Sequence, residues 1–404
     1  MIVEQPALFA LNVATLCVII FSAHQLILRM HSQHVYRPLA VCLLSIGLIA
    51  MLPISKVLLP IEWQIINLLV SLPALLLIAP SLWLYTKALT SNTPWQLSRH
   101  DIKHLIPVCI GCTITLIALC LPAPYQHAIL VNDNLALIEQ APSLLQILIY
   151  GLLIITFISV LGWVLQSAWY FYKIIKQLRD YHAKLKDVFA STEQKELHWL
   201  VWLLSSVGGV WLFIATNLVF DNLLSPIPLS PHLHATLVLL LVYSLSLWGL
   251  RQKPGFVECY DLDKAPEPNK PPITDPPASR DEKYQRSALD AQQAQRIATK
   301  LQRAMQGDKL YLDPALSLPK LAAHICAPSH YISQTLNETL DIRFFDFVNQ
   351  HRVDAAKHTL VQSDKTILDV AMLVGFNSKS AFYAAFKKHT GMTPSAYRQQ
   401  DSTD

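Results

Sequence analysis

The chain has 404 residues, 52% of them hydrophobic and 15% charged, with a formal net charge of +4. That is too apolar for an ordinary soluble protein throughout, so part of it is expected to lie in a bilayer. No Gly-rich phosphate loop, nucleophile elbow or paired catalytic carboxylate is present, which argues against an enzyme, and no cofactor or metal is implied.

In chain order, seven segments come near or exceed the length that spans a membrane: roughly 7–28, 39–59, 65–86, 105–124, 144–172, 197–220 and 233–250. The second is interrupted by Pro53 and Lys56, the third by Pro73 and Pro80. The first carries Glu4 instead of a basic leader and lacks a small-residue cleavage site, so it is read as a retained anchor. Lys and Arg concentrate after the odd segments, with six between Lys173 and Lys195, while Glu62, Asp133, Glu139 and Asp221 sit in the alternate connections. This predicts an outward N-terminus and an inward C-terminus.

After the fifth span, Ile174, Leu178, Tyr181, Leu185 and Val188 recur at spacings of 4, 3, 4 and 3, with Lys173, Lys176, Arg179, Lys184 and Lys186 on other faces. The span is expected to continue as an amphipathic helix. Residues 173–189 are then either a homodimer seam or a basic helix resting on anionic headgroups of the lipid bilayer. Ser191-x-x-Gln194 resembles a capping box opening the sixth span. Seven prolines between Lys253 and Pro277 predict a flexible or polyproline-like tether.

The last stretch changes character. From Thr366, the apolar residues Ile367, Val370, Ala371 and Val374 have helical spacing up to Gly375, and Ala381, Phe382, Ala385 and Phe386 form a second run. Ser378 or Asn377 is the candidate N-cap, and Lys387, Lys388 and His389 precede Gly391 and Pro394, so cap and dipole chemistry agree with a helix-turn-helix. Leu318 to Leu336 repeats the layout, Leu318-x-x-Leu321-Ala322 matching Ile367-x-x-Val370-Ala371. Between them Phe344 to Leu360 is expected to form a helix ~25 Å long, setting two recognition helices about one turn of B-DNA apart, ~34 Å.

Several motifs together carry a family resemblance. They are Tyr311-x-Asp313-Pro314-x-Leu316-Ser317-Leu318-x-x-Leu321-Ala322, the aromatics Phe345 and Phe347 with Arg352 and Ala356, Gly375-Phe376-x-Ser378-x-Ser380-x-Phe382-x-x-x-Phe386-Lys387, and Gly391-x-Thr393-Pro394-x-x-Tyr397-Arg398. Residues from about 288 to 398 resemble the DNA-binding domain of AraC/XylS-type bacterial transcription regulators. The expected fold is all-α: a polytopic bundle of about seven membrane helices plus a soluble domain of two helix-turn-helix units joined by a connecting helix. The expected domains are 1–252, a sensor in the bacterial cytoplasmic (inner) membrane; 253–285, a linker; and 286–400, the DNA-binding domain, in the cytoplasm. The resemblance implies promoter DNA and RNA polymerase as partners.

Residues 286–400 hold 14 Lys and Arg against 9 Asp and Glu, a net of +5 that suits a polyanionic partner. The candidate base-reading side chains are Ser329, His330, Ser333, Gln334 and Asn337 in the first unit and Lys379, Ser380 and Tyr383 in the second, where Ala384 lacks the long polar side chain that some relatives carry. For the first unit's residues the alternative is that one or two merely cap the helix or touch phosphate; Lys387, Lys388 and Arg398 are candidate phosphate contacts, with a solvated cationic face as the alternative. Arg352 is expected to make a structural ion pair. Cys109-x-x-Cys112, lying in the fourth span without a second such pair, is read as packing, and Cys326 as the turn counterpart of Gly375. Lys56, Asn217 and Asp221 near the outer leaflet are candidates for a pocket that takes a signal ligand of unknown identity, and His127, His232 and His234 weaker ones for metal or pH sensing. The rival to a membrane-bound regulator is a receptor or transporter whose C-terminal domain is a protein-interaction module.

Overall fold

The computed structural model describes residues 5–30, 34–91, 93, 95–130, 136–192, 198–223, 230–252, 256 and 290–401. The predicted linker therefore lies almost wholly outside the described residues, as do Asp133, Gln194 and Cys259. Among the described residues there are 17 α-helices and no strand. The chain divides into two compact bodies, Met1–Leu178 with His198–Val257, and Arg179–Leu197 with Glu258–Asp404.

In the first body the apolar segments become α1 (Pro6–Met30), α2 (Arg37–Ala50), α3 (Leu52–Leu58), α4 (Ile61–Leu89), α5 (Ile106–Leu119), the short α6 (Ala123–Leu130) and α7 (Ala136–Glu139), α8 (Ser143–Val188), α9 (His198–Leu223) and α10 (Pro231–Arg251). Among the described residues, five helical spans are long and apolar enough to cross a membrane, and a sixth is added if the pair His34–Ala50 and Leu52–Leu58, bent by 47°, counts as one. Pro53, in the first turn of α3, accompanies the bend. The sixth predicted span falls on α9, in which the apolar stretch Val201–Phe213 is shorter than a full crossing.

The third predicted span is unbroken despite its prolines. Each proline removes an N–H and so frees the carbonyl four residues earlier. The Leu69 carbonyl freed by Pro73 accepts from Thr115 Oγ1 of α5 at 2.7 Å, and the Leu76 carbonyl freed by Pro80 accepts from Gln166 Nε2 of α8 at 2.9 Å. Neighbouring helices thus satisfy what the prolines expose.

Helix α8 runs 46 residues without interruption, so the fifth span does continue into the amphipathic stretch. Ile174, Leu178, Tyr181 and Leu185 of the expected seam are 2%, 4%, 1% and 0% exposed within the single chain. This face is packed within the single chain, so the apolar periodicity of 173–189 does not by itself call for a second copy. The basic residues Lys176, Arg179 and Lys184 remain exposed.

The second body comprises α11 (Ala291–Gln306), α12 (Leu318–Ile325), α13 (Ser329–Gln334), α14 (Phe344–Gln362), α15 (Ile367–Leu373), α16 (Lys379–Thr390) and α17 (Pro394–Asp401). Helix α11 is strongly amphipathic, burying Ala294, Ile297, Ala298, Leu301, Ala304 and Met305 at helical spacing. Two cores form. One joins α11, α12, α13 and Phe344, Phe347 and Val348 of α14; the other joins Val353, Ala356 and Leu360 of α14 to α15 and α16. The connecting helix is therefore shared, and Arg352 stands where the first core ends and the second begins.

Candidate nucleic-acid interface

The first unit starts at Ser317, with Pro319 in the opening turn of α12. It ends at Cys326, which takes the left-handed conformation (φ 49°, ψ 54°) that lets the chain turn into α13. α13 has six residues, has no side-chain hydrogen bond at its N-cap Pro328, and passes directly into a π-helical turn, Thr335–Thr339. The expected recognition helix, Ser329 to Asn337, is thus an α-turn followed by a wider one. Ile332 and Leu336 anchor it in the first core.

The second unit is better terminated. Thr366 caps α15 by accepting from the Asp369 amide at 3.1 Å, and Ser378 caps α16 by accepting from the Ala381 amide at 3.1 Å. Gly391 (φ +79°) closes α16 in the left-handed conformation. The turn residue Gly375 has φ +92°, and a Cβ there would meet the Tyr311 carbonyl oxygen at 2.5 Å. Asn377 Nδ2 donates to the Pro314 carbonyl at 3.3 Å, so this turn packs on the residues leading into the first unit.

The predicted base-reading residues lie in these two recognition elements. His330 is exposed with its ring 4.1 Å from that of Tyr331; Ser329, Ser333 and Gln334 are half-buried; Asn337 is exposed. Gln334 Nε2 donates to the Glu338 carboxylate at 2.8 Å, and Asn337 Nδ2 to Ser333 Oγ at 3.4 Å, so side chains singled out for base edges bond along the helix. In α16, Lys379 and Ser380 are exposed, Lys379 Nζ lies 5.4 Å from the Tyr383 ring centroid, and Tyr383 Oη bonds Ser395 Oγ at 2.9 Å.

The phosphate candidates separate. Lys387 is exposed. Lys388 is exposed but pairs with Asp346 at 2.6 Å. Arg398 is half-buried, its Nε donating to the Leu360 carbonyl at 3.0 Å, which fixes it inside the fold at the end of α14.

Arg352 is fully buried, with 0% exposure. It donates to the carbonyls of Tyr311 (2.7 Å), Asp313 (2.8 Å) and Ala190 (3.3 Å), to Ser191 Oγ (3.1 Å) and to Asn349 Oδ1 (3.2 Å), and its guanidinium lies 5.5 Å from the Phe376 ring. Three of these five acceptors are main-chain carbonyls. The residues 187–192 that meet it belong to the second body, a participation that no sequence motif announces.

In the first body Lys56 is exposed on α3, and Asn217 and Asp221 fall on α9 at positions whose side chains lie outside the described set. Sequence reading missed a polar cluster there. Asp101, 1% exposed, accepts from Lys87 Nζ at 2.5 Å and Ser98 Oγ at 2.8 Å, while His104 Nδ1 bonds Tyr170 Oη at 2.8 Å. Lys173 Nζ lies 4.7 Å from the Trp83 ring. The partners come from three separate segments, a proximity that spacing along the chain does not encode.

Residues 321–400 match the family model described as a helix-turn-helix domain. The melibiose operon regulatory protein of Escherichia coli K12 is 31% identical over 87 residues, covering 22% of this chain and 29% of that protein. An uncharacterised HTH-type transcriptional regulator of Staphylococcus aureus is 34% identical over 90 residues, covering 22% of this chain and 12% of that protein. The chain therefore spans less than a third of these relatives' length. Among solved structures, the C-terminal domain of AraT, a response regulator from Geobacillus stearothermophilus, is 25% identical and covers 28% of this chain and 88% of that one, with a TM-score of 0.24. Residues 321–400 are thus similar in sequence to a helix-turn-helix domain, the motif built above from α12 with α13 and from α15 with α16.

Proposed function

We propose that the protein is a membrane-integrated one-component transcription regulator. Seven helical crossings hold it in a bacterial cytoplasmic membrane with the N-terminus outside, and residues 286–400 bind promoter DNA in the cytoplasm in response to an envelope or membrane signal. The observation that carries this reading is the coexistence of apolar spanning helices with a paired helix-turn-helix in one chain. The concentration of Lys and Arg after the odd spans supports the orientation. Within the interface, Gln334 and His330 read base edges in the first unit, while Lys379 and Lys387 of the second hold phosphates.

The test uses the full chain in nanodiscs, challenged with random-sequence duplexes at moderate salt and carried through repeated selection. Enrichment of a sequence with salt-sensitive affinity is expected. Absence of any enriched sequence would favour the protein-interaction reading, to which the exposed Ala384 and the Lys388–Asp346 pair are the favourable observations. Reporter fusions at both termini test orientation separately.

A further inference from the structure

We propose that the DNA-binding module carries a built-in docking surface whose partner is this chain's own segment 187–192, and that this docking sets the relative placement of the two helix-turn-helix units through Arg352.

The segment follows directly from α8. Phe189 and Ser317 form an antiparallel bridge, and the Ala190 amide donates to the Leu316 carbonyl at 3.1 Å. Phe189, Ala190 and Thr192 are 3%, 1% and 3% exposed, and Ala190 belongs to the first core. Outside this contact, Arg343 approaches Asp187 at 3.8 Å and Lys186 Nζ lies 5.9 Å from the Phe345 ring. Backbone pairing, apolar burial and charge therefore all hold the same six residues.

Arg352 gives the docking its consequence. One guanidinium bonds Ala190 and Ser191 of the segment, the Tyr311 and Asp313 carbonyls that lead into the first unit, and faces Phe376 in the turn of the second. Withdrawing the segment strips two acceptors from a buried cation, which is costly unless water enters or the side chain moves. Either response acts on α14 at the division between the two cores. Within the second body, residues 179–188 of α8 lead helically into the docked segment, so their helical phase sets how it is presented.

This inference rests on the DNA reading above, and its test separates the two. In the full chain in nanodiscs, Phe189→Cys with Ser317→Cys should link on mild oxidation, identified by mass spectrometry of the joined peptides. In the unaltered chain, hydrogen exchange should show the Ala190 amide protected, which covers the case in which the double variant does not fold. One alanine inserted after Ala183 turns the segment by about 100°, whereas a seven-residue insertion nearly restores phase. The single insertion should abolish the link and change affinity for a selected duplex by about tenfold, and the seven-residue insertion should retain both. An unprotected Ala190 amide without a cross-link, in a chain that still binds DNA, overturns the docking. Equal affinity of the two insertion variants overturns the coupling. A formed link in a chain that selects no DNA overturns the DNA reading and with it the coupling, and leaves the docking standing.

Discussion

Gln334 reaches one turn along its helix to donate a 2.8 Å hydrogen bond to Glu338, an exposed acid on the same element. To reach a base edge, Gln334 must surrender that bond in an approach that also brings the carboxylate toward phosphate. Glu338→Ala is therefore expected to tighten DNA binding by about 0.5–1 kcal/mol with little change in sequence preference. Gln334→Ala should lose ~1–3 kcal/mol on the selected sequence and almost nothing on unrelated DNA. Competition titrations with single-base variants of the site measure both.

The three predicted phosphate contacts, Lys387, Lys388 and Arg398, and the recognition-helix residue Lys379 should differ in salt dependence. Each phosphate neutralised adds roughly 0.9 to the slope of log affinity against log salt. Lys379→Ala and Lys387→Ala should each lower the slope by about that amount. Lys388→Ala should lower it less, because the ammonium is already balanced by Asp346, and Arg398→Ala should act on stability more than on the slope. Titrations across a series of salt concentrations distinguish these outcomes.

Arg352→Ala is expected to destabilise the C-terminal body by ~3–5 kcal/mol, since it leaves buried carbonyls without their donor and opens a cavity. Arg352→Lys should recover little, because a compact ammonium cannot reproduce a planar fork bonded on several sides. Denaturant unfolding of the full chain, followed by a probe placed in α16, is the appropriate measurement.

The two left-handed glycines of the second unit should not be equivalent. Gly391→Ala costs only the conformational penalty, ~1–2 kcal/mol, because open space surrounds the site. Gly375→Ala adds a collision with the Tyr311 carbonyl and should cost at least ~3 kcal/mol. Conversely, Cys326→Gly should stabilise by up to about 1 kcal/mol, since a side chain now occupies the same backbone conformation. Thermal unfolding of the three variants ranks them.

Burial holds the imidazoles of His351 and His389 below the ordinary histidine range; Lys388 lowers His389 further, against the opposing pull of Asp346 and Asp354. The unfolded chain takes up these protons near pH 6.5, where the folded chain resists them, so stability rises with pH across that interval. Unfolding temperature should fall as pH drops from 7.5 toward 5.5, and the fall should be shallower in a His351→Gln, His389→Gln variant. Melting curves of both proteins across this range supply the test.

Much of the C-terminal body was legible because short-range chemistry dictates it. Ser378 and Gly391 bracket α16 as their residue types require, and the Phe344 to Leu360 expectation differs from α14 only by two residues at its end. The π-helical turn after Gln334 was not legible, since apolar spacing at Ile332 and Leu336 suits an α-turn equally well. Pro73 and Pro80 interrupt the third span as read locally, yet the compensating donors Thr115 and Gln166 lie on other helices. The seam at Ile174 to Leu185 was recognised as apolar, but periodicity does not say whether the same chain or a second copy covers it. The same limit applies to residues 187–192, whose partners lie more than a hundred positions away.

The unequal ends of the two recognition elements have a kinetic consequence. α16 is held at both termini before DNA arrives, whereas α13 spans six residues, has no side-chain cap and runs into a π-turn. A preformed, lysine-bearing element is suited to first encounter, so changes in the second unit should register in association rate. On the DNA reading proposed above, the shorter element would give up its internal side-chain bonds to meet bases, so changes there should register in residence time. Stopped-flow association and competitor-chase dissociation would then assign the two helix-turn-helix units to opposite sides of the same equilibrium constant.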